Sequence, residues 1–225
     1  VLAGCPGWIQ GVLVAEAYLR GGLAKKALVI GCETLSRIVD PHDRDSMIFS
    51  DGAGAACFEL QEAEEGTGII GRAAVSYTKN EAYFLKSNPS NNPELDRTER
   101  LIKMKGRKIY EFAIRNVPDA MKAALDNAGV DLSEVKKIFM HQANAKLDHA
   151  VGERLYKLYG MKADLDAVMP MSIQWMGNSS VATVPTLLDM VRHENYQGHS
   201  VSKGDVVLFA SVGAGMNINA FVYRF

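Results

Sequence analysis

Apolar residues recur near helical period over residues 5–20, where Trp8, Ile9, Val12, Leu13, Ala15 and Leu19 mark one side and Gly21-Gly22 stops the segment. Pro6 suits the first turn of that helix, where no backbone donor is needed. Ala27 to Ile30 is a continuous β-rich run ending at Gly31, the pattern of a strand buried on both faces. A second strand is expected after Asp51-Gly52-Ala53-Gly54-Ala55, ending near Leu60, with the glycines read as a tight turn with close backbone packing. From Gln61 to about Arg100 glycines, charges and Asn88-Pro89-Ser90-Asn91-Asn92-Pro93 give turn chemistry and no firm period.

Periodicity returns over 104–127, where Ile109, Phe112, Ala113, Val117, Met121 and Ala124 define a helical face and Gly129 lies beyond its end. Pro118 inside that stretch predicts a kink or a break. A short strand over 135–140 leads to His141, helices follow over 144–159 and from Ser179 to about Arg192, and strands over 206–211 and 217–225 flank Gly213-Ala214-Gly215. No tandem repeat interrupts this order. The mixture predicts a layered α/β architecture, with helices covering a sheet.

Composition narrows the function classes. Twenty-five basic against 26 acidic residues leave a net charge of -1, so no global field exists to hold nucleic acid or an anionic membrane. The apolar runs are strand-sized, far below the roughly 20 residues of a membrane span. Cys5, Cys32 and Cys57 show no paired spacing, which argues against a disulfide framework or a cysteine zinc site and suits a reducing cytoplasm. His42, His141, His149, His193 and His199 form no metal-binding pair, so no metal is expected. The chain opens at Val1 without Met or a signal-peptide pattern, and we expect a fragment.

Three residues carry candidate chemistry. Cys5 stands before Pro6 at an expected helix start, where free N–H groups and the macrodipole favour a thiolate; a small buried hydrophobe is the competing reading. His141 stands at a strand end, a frequent place for α/β active sites, although a lone histidine is more often structural. Asn178, ahead of a helix, serves equally as an N-cap.

Together, Gly4-Cys5-Pro6-Gly7, Asp40-Pro41 with Asp43-Arg44, Asp51-Gly52-Ala53-Gly54-Ala55-Ala56, His141-Gln142-Ala143-Asn144, Gly177-Asn178-Ser179-Ser180 with Pro185, and the terminal Arg224-Phe225 resemble the β-ketoacyl-acyl carrier protein synthase III family of thiolase-fold condensing enzymes. The resemblance implies a thiolase-like layered α/β fold. Residues 1–103 would be the remainder of an N-terminal half, with nucleophile helix and variable insert, and 104–225 the C-terminal half. Family members are about half as long again, so the rest of the N-terminal half would be absent and apolar surface left open unless another chain covers it.

The same resemblance implies Cys5 as the acyl-accepting nucleophile and His141 with Asn178 as the pair that activates the second substrate, with histidine Nε2–H and the asparagine amide donating to an enolate oxygen. It also implies that Arg44, Gly106, Asn144 and Gly215 bind substrate, and that a backbone N–H near Gly215 joins that of Cys5 in an oxyanion hole. Lys146, Arg154 and Lys157 would dock an anionic acyl carrier protein, with a solvated helix face as the competing reading. The expected reaction joins an acyl-coenzyme A primer to malonyl-acyl carrier protein in a cytoplasmic homodimer, with coenzyme A as substrate and no further cofactor. A related acyltransferase, a ketosynthase of secondary metabolism and a non-catalytic partner subunit remain as alternatives.

Overall fold

The computed structural model describes residues 3–62 and 66–225; residues 63–65, inside the stretch without a readable period, lie outside the described residues. The centre is a four-stranded sheet in the order β3 (Gly68–Ser76), β8 (Asn217–Arg224), β7 (Val206–Gly213), β6 (Val135–Met140). β8 runs antiparallel to both neighbours, and β6 and β7 are parallel. Strand β3 belongs to this sheet although its sequence lies before residue 104.

Alternation along β7 and β8 builds a core on each face. Leu208, Ala210, Ile218, Ala220 and Val222 meet the apolar sides of α2 (Gly106–Ala128) and α3 (Ala145–Leu158). Val207, Phe209 and Phe221 face the opposite way, into a cluster with α1 (Gly7–Arg20) and α6 (Thr183–Glu194). Phe209 stacks between Phe221 and Phe139 at centroid distances of 4.4 and 5.1 Å. Two short helices, α4 (Leu165–Val168) and α5 (Ile173–Met176), lie between α3 and α6, and β4 (Leu85–Asn88) pairs with β5 (Leu101–Met104) as a small antiparallel ribbon.

A second ribbon, β1 (Lys26–Thr34) with β2 (Asp51–Glu59), packs beyond α1 and α6 and corrects two expectations. β1 is not buried on both faces: Leu28 and Ile30 are 63% and 58% exposed. It also continues past Gly31, and the Gly52/Gly54 segment is strand rather than turn. The close backbone approach expected there is present. A Cβ on Gly31 would lie 2.6 Å from Val181 O, one on Gly52 2.8 Å from Ser179 Cβ, and one on Gly54 2.9 Å from Thr186 N. These glycines let the ribbon press directly on residues 179–186.

The helix with Pro118 runs over 23 residues without the break that was one of the two expected outcomes. Pro118 removes one ladder donor, but it is buried with Val117 and Met121 on the side of α2 that packs on the sheet, and this packing holds the helix together.

Candidate active site

Cys5 lies in the turn entering α1, whose N-cap is Pro6. Gly213 at the end of β7 makes room for it: a Cβ there would come within 2.9 Å of both Cys5 Cβ and Cys5 N. The thiol is not the helix-activated thiolate expected from sequence. Burial pushes its pKa up to about 11, a hydrogen bond with the Ser180 side chain pulls the other way, and the Glu33 charge raises it further. Cys5 stands one residue outside the N-cap, Pro6, rather than in the first turn of the helix.

His141 follows β6, its backbone N–H donating to Ala210 O at 2.9 Å. Its ring is buried, with Nδ1 2.7 Å from Thr183 Oγ1. Burial lowers its pKa to about 4, so the imidazole is neutral near pH 7. Asp148, on the next helix, is buried beside it. The amides of Ala143 and Asn144 approach its carboxyl oxygens without meeting hydrogen-bond geometry, and burial pushes this carboxyl up to about 8. Neither group of the pair carries charge easily at this depth.

Asn178 is held by an exchange with the chain ahead of β2: its N–H donates to Ile48 O at 2.7 Å, and its carbonyl accepts from Ser50 N at 3.0 Å. It does not cap a helix, because α6 begins only at Thr183 with Ala182 as N-cap. Its Oδ1 instead accepts from Ser180 N at 2.9 Å, which leaves Nδ2 as the donor end of the side chain. Gly177 precedes it at φ +66°, where a Cβ would also press on Ser50 at 3.0 Å.

Ser180 joins these groups. Its hydroxyl donates to Cys5 Sγ at 3.5 Å, its N–H reaches Asn178 Oδ1, and its carbonyl lies 3.0 Å from Thr183 Oγ1, the hydroxyl that also faces His141 Nδ1. The residue is buried and held at φ +52°, a conformation uncommon outside glycine that persists only where surrounding contacts impose it. Cys5, Asn178 and His141 thus share one hydrogen-bonded turn, with His141 reached through Thr183. Neither Ser180 nor Thr183 carries a sequence signal of its own as a site residue beyond the Asn178-Ser179-Ser180 motif. Gln142 was likewise missed: fully buried, its Oε1 accepts from Ser172 N and Ile173 N at 2.8 and 3.1 Å, fixing the segment that leads to Asn178.

Of the other expected site residues, all but Gly215 are exposed. Arg44 begins a 3₁₀ turn and is exposed, and Gly106 opens α2 with the Asp45 carboxylate 3.6 Å from where its Cβ would be. Asn144 caps α3, accepting from Lys146 N and Leu147 N at 3.0 and 3.3 Å. Gly215, half-buried, sits at φ +76° in the turn between β7 and β8, two residues beyond the Gly213 that packs on Cys5. Lys146, Arg154 and Lys157 are exposed on α3, with Glu153 about 20° from Lys146 around the helix and diluting the basic face. Among the described residues no group of three or more potential metal ligands occurs, and no helix is long and apolar enough to cross a membrane.

Two family models match in chain order. That of 3-oxoacyl-[acyl-carrier-protein] synthase III covers residues 1–77, and that of the C-terminal part of the same synthase covers residues 125–225. A β-ketoacyl-[acyl-carrier-protein] synthase III from Erythrobacter litoralis is 32% identical over 100% of this chain and 66% of its own length. One from Chelativorans sp. is 34% identical over 98% of this chain and 65% of its own. The crystal structure of the Thermus thermophilus synthase III superposes with a TM-score of 0.83 at 31% identity, covering 100% of this chain and 67% of that one. The chain therefore spans about 66% of the length of the curated relatives it matches. With the layered α/β fold, the site motifs and both family models in agreement, the chain belongs to the β-ketoacyl-acyl carrier protein synthase III family and has its thiolase-like fold.

Proposed function

We propose that the protein to which this chain belongs performs a decarboxylating Claisen condensation, joining an acyl-coenzyme A primer to malonyl-acyl carrier protein and thereby starting fatty acid synthesis. The observation that carries this reading is the Ser180 turn, which ties a nucleophilic cysteine, an asparagine amide and a neutral imidazole into one hydrogen-bonded unit. In this scheme Cys5 takes the acyl group, with the backbone N–H of Cys5 and one near Gly215 as oxyanion donors. Asn178 Nδ2 and His141 Nε2 face the enolate left when malonyl loses carbon dioxide. Arg44, Gly106 and Asn144 would contact coenzyme A or its pantetheine arm, and Lys146, Arg154 and Lys157 the acidic carrier protein. A cytoplasmic homodimer completes the reading.

Incubation with a panel of acyl-coenzyme A thioesters, followed by mass spectrometry, should place an acyl group on Cys5, and malonyl-acyl carrier protein should then release carbon dioxide. Full-length protein that folds but accepts no acyl group at Cys5 would overturn the proposal.

A further inference from the structure

Two asparagines on β8, Asn217 and Asn219, have no place in the scheme above, yet each holds a turn that borders Cys5. Asn217 Nδ2 donates to Ala214 O at 3.0 Å, in the turn after β7. Asn219 is buried, and its Nδ2 donates to Gln10 Oε1 at 3.1 Å and to Pro6 O at 3.4 Å, at the start of α1. The two turns meet. A Cβ on Gly213 would lie 2.9 Å from Cys5 N, and one on Gly4 would lie 3.6 Å from Ala214 N. The backbone N–H groups of Cys5 and Ala214 thus ride on adjoining turns, each tied to the same strand.

We infer that Asn217 and Asn219 are positioning residues that set the spacing of these two N–H groups for acyl transfer to Cys5. They stand two apart on one strand, so their side chains leave the same face with roughly 7 Å between them. β8 is hydrogen-bonded along both edges, to β3 and β7, which makes it a stiff base. One asparagine fixes the turn with Ala214 to that base, and the other fixes the turn with Cys5 and Pro6. The Asn217 amide is itself oriented. Ser76, its partner on β3, donates from Oγ to Asn217 Oδ1 at 2.5 Å, which turns Nδ2 toward Ala214 O. The turn needs such a hold, because Gly215 and Met216 stand in succession at φ +76° and +49°, and Met216 carries a side chain there. A Cβ on Gly215 would come within 2.8 Å of Asn217 Nδ2, so the glycine leaves the amide its room. When a thiolate adds to an acyl carbonyl, the C–S bond forms and the carbonyl π pair moves to oxygen. That oxyanion then collapses and expels the leaving group of the acyl donor with its bonding pair. Both N–H groups must reach one oxygen in between, and their spacing decides whether they do.

The inference rests on Cys5 as the acyl acceptor of the proposed function, and the test separates the two. Full-length wild type and the Asn217→Ala, Asn219→Ala, Ser76→Ala and Ser76→Thr variants are given p-nitrophenyl acetate, which acylates a thiol through the same oxyanion without coenzyme A. Alkylation by chloroacetamide, a displacement at saturated carbon that forms no oxyanion, is measured beside it, both by mass spectrometry of the Cys5 peptide. Acylation should fall about 10-fold or more in Asn217→Ala and Asn219→Ala, while alkylation stays within about twofold of wild type. Ser76→Ala should lower acylation in the same direction and add little in the Asn217→Ala background, and Ser76→Thr should keep the wild-type rate. Should Asn219→Ala fail to fold, the half-buried Asn217 and exposed Ser76 carry the test. Unchanged acylation in either asparagine variant that folds, or acylation and alkylation lowered together, would overturn the inference. So would a wild type that is alkylated but not acylated by p-nitrophenyl acetate at Cys5. A wild type acylated by p-nitrophenyl acetate but by no coenzyme A thioester would count against the proposed function alone.

Discussion

His141 Nδ1 lies 2.7 Å from Thr183 Oγ1, and the same hydroxyl is 3.0 Å from Ser180 O. The Thr183 proton decides which ring nitrogen carries hydrogen. Pointed at Ser180 O, it receives Nδ1–H and leaves Nε2 bare; pointed at Nδ1, it leaves Nε2–H to donate. Only the second arrangement provides the donor that the proposed decarboxylation needs. In Thr183→Val the one hydroxyl that can donate to Nδ1 is gone, and with it the interaction that favours Nε2–H. Carbon dioxide release from malonyl-acyl carrier protein should then fall about 10²- to 10³-fold, the usual effect of losing one such donor, while acyl transfer to Cys5 is spared. Thr183→Ser should keep most activity, and ¹⁵N spectra of the imidazole should show the tautomer change. Equal decarboxylation rates in Thr183→Val and wild type would show that Thr183 only packs.

Asn178 separates the half-reactions in the same way. Asn178→Ala removes the Nδ2 donor and the acceptor for Ser180 N. It should lower decarboxylation by about 10²- to 10³-fold and leave acylation of Cys5 largely intact. Cys5→Ala should abolish acylation and retain decarboxylation. Both half-reactions are measured on variants checked by circular dichroism. If Asn178→Ala lowers only the melting temperature, the residue acts solely as a turn cap.

The buried His141 and Asp148 give opposite pH slopes to stability. His141 is shifted from 6.5 to about 4, so between those values the unfolded chain binds a proton that the folded chain does not, and stability falls as pH drops. Asp148 is shifted from 3.8 to about 8, so between those values the folded chain holds the extra proton, and stability falls as pH rises. From about pH 4 to 6.5 the two offset each other, and above 6.5 only the Asp148 slope remains. Urea unfolding should therefore show this pair lowering stability between pH 6.5 and 8. Asp148→Asn should remove that loss and uncover the acid-side loss from His141. A variant whose profile parallels the wild type from pH 5 to 8 would refute the assignment.

Gly31→Ala tests the contact between ribbon and turn. The added methyl would lie 2.6 Å from Val181 O, a backbone atom that cannot swing aside. A loss of about 1–3 kcal/mol is expected from overpacking of this kind. Gly22→Ala is the comparison: its Cβ would meet nothing within 4 Å, but its φ of +71° imposes strain with no contact to the turn. Cys5 alkylation should change in Gly31→Ala and stay as in wild type in Gly22→Ala.

Much of the scaffold was legible because its signals are local. The apolar period of 104–127 places α2 to within two residues at its start and one at its end, and the strands around Gly213-Ala214-Gly215 lie where the pattern puts them. β3 escaped because its usable signal is Gly71, whose backbone passes under α2 with Ala124 O 2.3 Å from where a Cβ would be, and no periodicity reports such a contact. The exposed face of β1 misled because Leu28 and Ile30 read as core in any window. At the site, Cys5, His141 and Asn178 were found through short motifs. Ser180 and Thr183 meet Cys5 and His141 only through long-range packing, across 175 and 42 positions of sequence. Desolvation of the Cys5 thiol, which raises its pKa, comes from parts of the chain distant in sequence and leaves no local mark beside the helix start.

The three ribbon glycines have a mechanical consequence. Where side chains interdigitate, rotamers absorb small displacements, but at Gly31, Gly52 and Gly54 the β1–β2 ribbon meets the turn with no side chain of its own between them. A tilt of the ribbon would bear first on Ser179 and Val181, the two neighbours of Ser180, whose hydroxyl lies 3.5 Å from sulfur. The opposite side of that ribbon displays Leu28 and Ile30 to solvent, so a load applied there would be felt as a change in nucleophile reactivity before it was felt as a change in fold.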